Sequence, residues 1–534
     1  MDSVPGNPRV RLAALAVLIV IAAPAASEIL LDQSFGVNGI TWTSFGPDNS
    51  DTAYDLLIQA DGKIITAGRS TGVDGYFVAI SRHSADGVLD SDGFGSGGKV
   101  YVHWLLRDQA NAIDLQEDGK IVAVGMQQAS NSAGDQIESV YRFHGDGAVD
   151  TTFGGGGCVA IRPLTGSSEH GGLKVLPDGR VLAGGRQNLS SPAFHVRRYL
   201  ADGTLEVGNF LPIGTGSPSP DPYNPVSCAF PDDDGIVLAS TSYVNGINQF
   251  VLARVDSALN PMAGFGVNGV VQTGIEATSN RVRRVLVLSG GEILLVGTTP
   301  RPGGNTNWTA LRFHSDGTPD SAFGTNGRAD ITFGTTGFNV PYDVAIDAEG
   351  RILLAGRASS PLEAALARLL PDGRLDPTFS DDGKFAVNLN GYAGSHYLTR
   401  VQILPDGRIL AAGFDFAHGS GDFFLARFTA PYVSGVDTED LSLTPLSVDA
   451  YPNPSSGGAV VRFRLAREQA VTVEIFDVAG RLVSRIFDGT HTPGTCLLAW
   501  DGRDAAGLEA PAGVYFTRVS TREGTQTCRL VRVR

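Results

Sequence analysis

TAYDLLIQADGKIITAGRSTGVDGYFVAISRHSADGVLDSDGFGSGGKVYVHW, residues 52–104, contains four short apolar-rich runs: Ala53–Ile58, Ile64–Gly68, Tyr76–Arg82 and Lys99–Trp104. Asp61-Gly62-Lys63 separates the first two, and Asp86-Gly87 follows the third. Asp-Gly between such runs signals a hairpin, because glycine adopts positive φ without steric cost. Phe77, Val78 and Ile80 supply the aromatic and β-branched side chains that suit a pleated surface. No helical period interrupts the pattern. A lone four-stranded sheet buries too little apolar surface to stand in water, so this unit needs neighbours.

The neighbours are copies of it. Arg82 recurs as Arg142, Arg198, Arg254, Arg312, Arg368 and Arg427, at intervals of 60, 56, 56, 58, 56 and 59. Gly62 recurs as Gly119, Gly179, Gly235, Gly291, Gly350 and Gly407, and Phe35 as Phe94, Phe153, Phe210, Phe265, Phe323 and Phe379. Seven units of four strands predict an all-β fold, a seven-bladed β-propeller. A parallel β-helix has shorter coils and lacks Asp-Gly hairpins. The seventh unit has three runs, Tyr397–Leu404, Arg408–Gly413 and Phe423–Phe428, with no Leu-Asp-x-x-Phe-Gly segment after Arg427. A spare copy, Leu31-Asp32-Gln33-Ser34-Phe35-Gly36, stands at the other end. Residues 38–44 are therefore expected to supply the missing outer strand, closing the ring and removing two open sheet edges.

The set Leu31-Asp32-x-x-Phe35-Gly36, Asp61-Gly62-Lys63-Ile64 with Ala67-Gly68, and Arg82 followed by Asp86-Gly87 resembles the delta-sixty repeat family of bacterial β-propellers. The resemblance covers about residues 29–430 and implies a fold without a defined activity. Two units depart from the pattern. One has Glu206 for the usual Asp and no Gly after Phe210; the other has Asn260 and no Asp-Gly after Arg254.

Residues 1–27 read as a secretory signal peptide, with Arg9 and Arg11 ahead of the apolar Leu12–Ala22 and small residues at Ala23–Ser27. The apolar core is shorter than the roughly 20 residues of a spanning helix, so the mature chain is expected not to cross a membrane. The propeller is assigned to 28–430, a polar linker to 431–447 and a second all-β pattern to 448–534. Of the net charge of −15, the signal contributes +1 and residues 441–534 contribute +2, which leaves −18 on the body, 28–440. An acidic body excludes nucleic acid as a partner, since phosphate binding needs basic surface.

In the second pattern, Val460–Leu465 and Val471–Ile475 alternate, and further runs follow at Leu482–Ile486, Cys496–Trp500, Val514–Val519 and Cys528–Val533. Six short strands in such a length suggest a small Ig-like β-sandwich. Tyr451-Pro452-Asn453-Pro454, Asp477-x-x-Gly480-Arg481, Trp500-Asp501-Gly502-Arg503-Asp504-x-x-Gly507 and Gly513-Val514-Tyr515-Phe516 resemble the type A C-terminal sorting domain of the type IX secretion system. They are also similar to the Ig-like domain of flagellar hook-capping proteins. The sorting family's lysine near the end is absent, and Arg529 stands close to its place. The resemblance implies the type IX secretion machinery as a partner, passage across the outer membrane, removal of the tail, and release or attachment to surface polysaccharide. Secretion or display at the outer cell surface is the expected destination. Cys496 and Cys528 both fall in this domain, and an exported protein would permit a disulfide between them, with the two expected on neighbouring strands.

Within the repeats, most recurring polar residues read as structural. Each repeated Arg is expected to pair with the acid of the Leu-Asp segment, as Arg82 with Asp90 and Arg142 with Asp150. His83, His144 and His314 share one register beside turns and are not expected to hold a metal. No Cys-x-x-Cys or Cys/His cluster supports zinc, so no metal site is expected. Asp90-Ser91-Asp92-Gly93 and Asp232-Asp233-Asp234 resemble calcium loops without the full spaced ligand set, so no cofactor is expected and calcium stays a secondary reading. Gly154–Gly157 precedes no helix and no Lys-Ser or Lys-Thr pair, which excludes a phosphate-binding loop, and no Gly-x-Ser-x-Gly nucleophile elbow occurs.

The variable connections, between strands two and three and between units, fall on the face opposite the repeated Asp-Gly turns. Among them are Asn245–Asn248, Pro300–Trp308 and Phe416–Asp422. Counting back from each repeated Gly gives a non-repeating position near that face: Asp55, Arg284, Asp343 and Arg400, with Tyr54 and Tyr342 beside them. These six are the candidate binding residues, for a surface polysaccharide or peptide; no catalytic residue is assigned. Two functions follow. The first is a non-catalytic exported protein with a binding or structural role. The second is a secreted hydrolase or lyase that uses channel-mouth carboxylates such as Asp55 and Asp343.

Overall fold

Each Asp-Gly of the repeat becomes a tight turn. Gly62, Gly119, Gly179, Gly291, Gly350 and Gly407 all have φ between 75° and 86°; where Asp precedes the glycine it caps the turn, as where Asp61 Oδ1 accepts the Lys63 N–H at 3.1 Å, while Gly290 and Glu349 stand at that place in two repeats. The computed structural model describes residues 29–429 and 448–533 apart from 73–74, 131–135, 164–166, 189–192, 214–225, 232–234, 245–246, 274–280, 335–336, 360–361, 381, 390–395, 416–420, 452–458, 466–468, 492–493, 501 and 523. The signal segment, the linker, Asp232–Asp234, Pro452–Pro454 and parts of the two variable connections at 245–246 and 416–420 lie outside the described residues. The chain divides into two units, residues 1–433 and 434–534.

The first unit is a β-propeller. Among the described residues its strands form seven four-stranded antiparallel meanders, beginning with Ser50–Ile58, Arg107–Leu115, Ser167–Val175, Ser227–Ala229, Arg281–Val287, Val340–Ile346 and His396–Ile403. The first two meanders are joined by one parallel pairing, Tyr76 with Arg107. The first strands of successive meanders pack in a closed cycle, the seventh against the first. The fourth strand of the last meander comes from the start of the chain: Ile40–Thr43 runs antiparallel to Asp422–Thr429, with Ile40 opposite Ala426 and Thr43 opposite Phe423. Leu30–Leu31 pairs with the same strand.

The repeated residues interlock. Arg82 gives Nε to Asp90 Oδ2 at 2.8 Å, lies 4.7 Å over the Phe94 ring, and gives Nη1 to the Gly145 carbonyl in the next meander at 2.5 Å. Arg142, Arg312 and Arg427 repeat all three contacts, with Asp150, Asp320 and Asp32 as the acids and the Ala201, Pro371 and Ala85 carbonyls as the neighbours. Arg368 pairs with Asp376 and covers Phe379. One guanidinium thus fixes its own turn and the turn of the adjoining meander. Charge-assisted bonds of this kind, shielded by an aromatic face, are stronger than exposed ion pairs. Glu206 does the acid's work for Arg198, at 2.5 Å. Asn260 does not stand where the repeat pattern places it: the N–H that returns to the Arg254 carbonyl belongs to Met262, two residues later.

Gly68, after Ala67, and its counterparts on the second strands have a separate cause. A β-bulge interrupts the first strand in six meanders, for example between Ala53 and Asp55. Gly68 lies opposite, and a Cβ there would sit 1.9 Å from the Thr52 carbonyl oxygen. Gly125, Gly297, Gly356 and Gly413 are in the same position, at 1.8–2.2 Å.

The second unit is a two-sheet sandwich. Val448–Tyr451, Ala459–Leu465 and Gly494–Trp500 form one sheet; Leu482–His491, Gln469–Asp477, Gly513–Thr521 and Gly524–Arg532 form the other. Val461, Phe463 and Trp500 meet Val473, Ile475, Tyr515 and Val519 in a shared core. The Trp500 indole N–H is satisfied by the Arg503 carbonyl at 2.8 Å, which explains part of the Trp-Asp-Gly-Arg motif. Cys496 and Cys528 fall on different sheets, so the expectation that they occupy neighbouring strands is corrected. The Cys496 side chain lies outside the described residues.

Candidate functional site

The bulges take side chains of the first strands out of their regular alternation. The extra residue in three of the six is Tyr54, Arg283 and Tyr342. Tyr342 is 5.9 Å from the Tyr397 ring at 63°, and the Arg283 guanidinium lies 5.2 Å over Tyr342. Arg357 lies 4.8 Å over Tyr397 and donates Nη1 to its hydroxyl at 2.7 Å. Tyr397 is backed by Phe414, stacked at 4.6 Å. Arg281 enters the same strand two residues before Arg283. Burial lowers the pKa of Arg281 below the ordinary guanidinium value, and repulsion from Arg283 adds to it. Burial also lowers Arg283, with Tyr342 opposing and Arg357 reinforcing the shift. Three guanidinium groups therefore share one positive field beside two tyrosine rings.

A smaller copy stands on the first two meanders. Both Arg69 and Arg107 lie over the Tyr76 ring, each at 4.7 Å. Arg69 also lies 5.9 Å from the Tyr54 ring.

Of the six sequence candidates, the four charged ones are engaged with one another. Arg400 donates Nε to Asp55 Oδ1 at 2.8 Å, and Asp55 Oδ2 accepts the Ile113 N–H at 2.8 Å. Arg284 pairs with Asp343 at 2.9 Å, and Asp343 Oδ2 accepts the Val401 N–H at 2.9 Å. Each carboxylate ties its own first strand to that of the following meander, and Arg400 carries the tie from the last meander to the first. Burial would lower the Arg400 pKa, but Asp55 and Asp343 outweigh it and raise the value. These four residues brace the ring. Tyr54 and Tyr342 sit among arginines the repeat count did not single out: Arg69, Arg107, Arg281, Arg283 and Arg357. The missed signal was Arg on the first and second strands of the meanders, out of register with the repeated Arg.

Asp90 of the suspected calcium loop faces Arg82 at 2.8 Å and Lys63 at 3.2 Å. His83 contacts Thr43 Oγ1 at 2.9 Å. Glu138, His170 and His195, which no sequence motif groups, come together in the interior, their donor atoms within 4.8 Å of one another. They lie 25 or more residues apart, outside any spacing motif.

Comparison with known proteins adds two family matches. Six segments, residues 59–92, 116–153, 176–208, 289–323, 348–379 and 404–430, match a beta-propeller family described as a domain of unknown function, DUF5122. These segments omit residues 209–288, which hold Arg254 and Met262. Residues 451–525 match the FlgD Ig-like domain. The search of curated proteins finds no match. Among solved structures, similarity extends to PorZ, a bacterial surface component of the type-IX secretion system of Porphyromonas gingivalis, at 13% identity over 90% of this chain and 74% of that one, TM-score 0.30. The polysaccharide lyase Uly1 is similar at 11% identity over 77% and 94%, TM-score 0.41. The β-propeller domain of the trilobed protease of Pyrococcus furiosus is similar at 10% identity over 72% and 100%, TM-score 0.35.

Proposed function

We propose that this chain is an exported, non-catalytic binding protein whose propeller holds an acidic polysaccharide at the arginine–tyrosine rim. One observation carries the reading: Arg281, Arg283 and Arg357 repel one another beside Tyr342 and Tyr397, on a body whose net charge is −18 between residues 28 and 440. An anionic ligand would bring counter-charge to this cluster of guanidinium groups. A guanidinium fork matches a carboxylate or sulfate. A tyrosine face suits the apolar side of a sugar ring, and a few placed polar groups among aromatics is the usual make-up of a ligand site.

The hydrolase or lyase reading requires Asp55 or Asp343 to exchange a proton with substrate. Both are held by an arginine and a backbone N–H in the next meander, which favours the binding role. Export rests on the apolar leader at 1–27 and on the C-terminal module, whose spaced motifs we read as a type IX sorting signal ending in release or attachment at the outer cell surface. Retention on columns of immobilised acidic and neutral polysaccharides tests the reading. Retardation by uronate-rich or sulfated polymers and not by neutral glucans is expected. Equal passage through all of them overturns it, and retention only by acidic peptides moves the ligand to that class.

A further inference from the structure

We propose that Glu138, His170 and His195 bind a divalent transition cation of the zinc class, buried between the second and third meanders. Glu138 stands on Gln136–Phe143, His170 on Ser167–Val175 and His195 on Ala193–Tyr199. None of the three side chains has exposed surface. His195 Nε2 lies 2.7 Å from Glu138 Oε2 and 3.1 Å from His170 Nδ1. Two ligands on a tetrahedral zinc, each at about 2.0–2.1 Å, stand roughly 3.3 Å apart; the three donors lie within 4.8 Å of one another, and binding would adjust them to that spacing.

The surroundings are those of a ligand set. A metal-binding histidine usually has its second ring nitrogen held by another group, which fixes the ring's orientation. Here the second nitrogen of His170, Nε2, meets the Tyr199 hydroxyl at 3.0 Å, and that of His195, Nδ1, meets Ser168 Oγ at 3.4 Å. His195 Nε2 faces both His170 Nδ1 and the carboxylate, and His170 Nε2 also lies 3.7 Å from Glu138 Oε2. Glu138 Oε1 accepts Arg197 Nε at 2.7 Å, whereas the buried Oε2 is met by His195 Nε2. A cation among Oε2 and the imidazole nitrogens would take the place of the His195 contact. Two imidazoles with one carboxylate select zinc or its late first-row neighbours over calcium or magnesium, which prefer all-oxygen sets.

The competing description is a purely polar knot in which Arg197 alone balances Glu138. The two differ in what the full chain binds. After chelation and dialysis, the protein is titrated with zinc chloride, and separately with cobalt chloride, then assayed for bound metal. One stoichiometric equivalent, a ligand-field absorption band with cobalt and a rise in melting temperature with zinc are expected. Glu138→Gln and His195→Ala should lose that equivalent, and Tyr199→Phe should weaken binding roughly 10–100-fold. His144→Ala and His314→Ala, histidines outside the cluster, should bind as the wild type does. Wild-type protein that takes up no stoichiometric metal and shows no cobalt band overturns the site. So does a folded His195→Ala variant that binds as the wild type does. If that variant fails to fold, the wild-type cobalt spectrum decides by itself.

Discussion

Arg427 donates Nε to Asp32 Oδ2 at 2.7 Å across 395 residues of sequence. Ser34 Oγ accepts from the same guanidinium at 3.1 Å, and Arg408 approaches Asp32 at 2.8 Å. The first segment of the body thereby supplies both the outer strand and the acid that the last repeat lacks. Arg427 and Asp32 are nearly buried, at 4% and 10% side-chain exposure, and removing one partner of such a pair leaves the other charged and unmatched. Arg427→Ala should cost about 3–5 kcal/mol, and deletion of residues 29–45 should lower the melting temperature further, by exposing two sheet edges. Calorimetry on both variants checks this; melting curves that coincide with the wild type would remove the clasp from the account.

The same closure makes the ring sensitive to acid. Burial opposes ionisation of Asp32, but the Ser34 hydroxyl and Arg408 hold its pKa down to about 2. Its contribution is full above about pH 4 and is lost as pH falls toward 2. His83, which contacts Thr43 of the clasp strand, is lowered by burial to about 4. Its neutral form contributes fully above about pH 6.5, and up to about 3 kcal/mol is lost as pH falls through 4. Asp51 and Asp108, which burial raises to about 6, act in the opposite sense between about pH 4 and 6. The informative quantity is therefore a difference: His83→Gln should flatten the wild-type loss of stability between pH 6.5 and 4, measured by urea unfolding.

Two glycines of one repeat family should respond differently to alanine. Gly68 has ordinary backbone angles but no room, since an added methyl carbon would lie 1.9 Å from Thr52 O. Gly119 has open space around it and φ of 83°. Gly119→Ala should cost about 1 kcal/mol, and Gly68→Ala roughly 3 kcal/mol, because the bulge at Tyr54 must shift. Equal costs would mean that the bulge yields easily and does not position the tyrosine.

This contrast also shows what the sequence carried. The seven-fold beat of Arg, Gly and Phe is legible because every meander needs the same turn, and turns depend on local chemistry. The Arg–acid pairing was legible for the same reason. The bulges were not, since a bulge leaves no fixed residue type behind: Tyr54, Asn111, Gly171, Arg283, Tyr342 and Thr399 fill the extra position. Asp55 and Asp343 looked available because a single repeat hides its neighbour, and their partners Arg400 and Ile113, or Arg284 and Val401, lie in other units. Glu138, His170 and His195 were invisible as a group because each stands on a different strand.

Residues 448–534 form their own sandwich core, and a domain with its own core behind a polar linker should fold alone. Truncation after residue 430 should leave the melting temperature of the ring and its polysaccharide retention unchanged, while the protein accumulates in the periplasm of a host with type IX secretion. Normal delivery of the truncated chain to the medium or cell surface would make the tail an Ig-like spacer.

The central claim is that the rim binds and does not cut. Isothermal titration of an acidic oligosaccharide into wild-type protein and into the combined Arg283→Gln, Arg357→Gln variant tests it most directly, with the same sample monitored for new reducing ends and unsaturated products. At least a tenfold loss of affinity, about 1.4 kcal/mol, is predicted for the variant, with the oligosaccharide recovered intact. Undiminished binding by the variant, or chain cleavage by the wild type, would contradict the account.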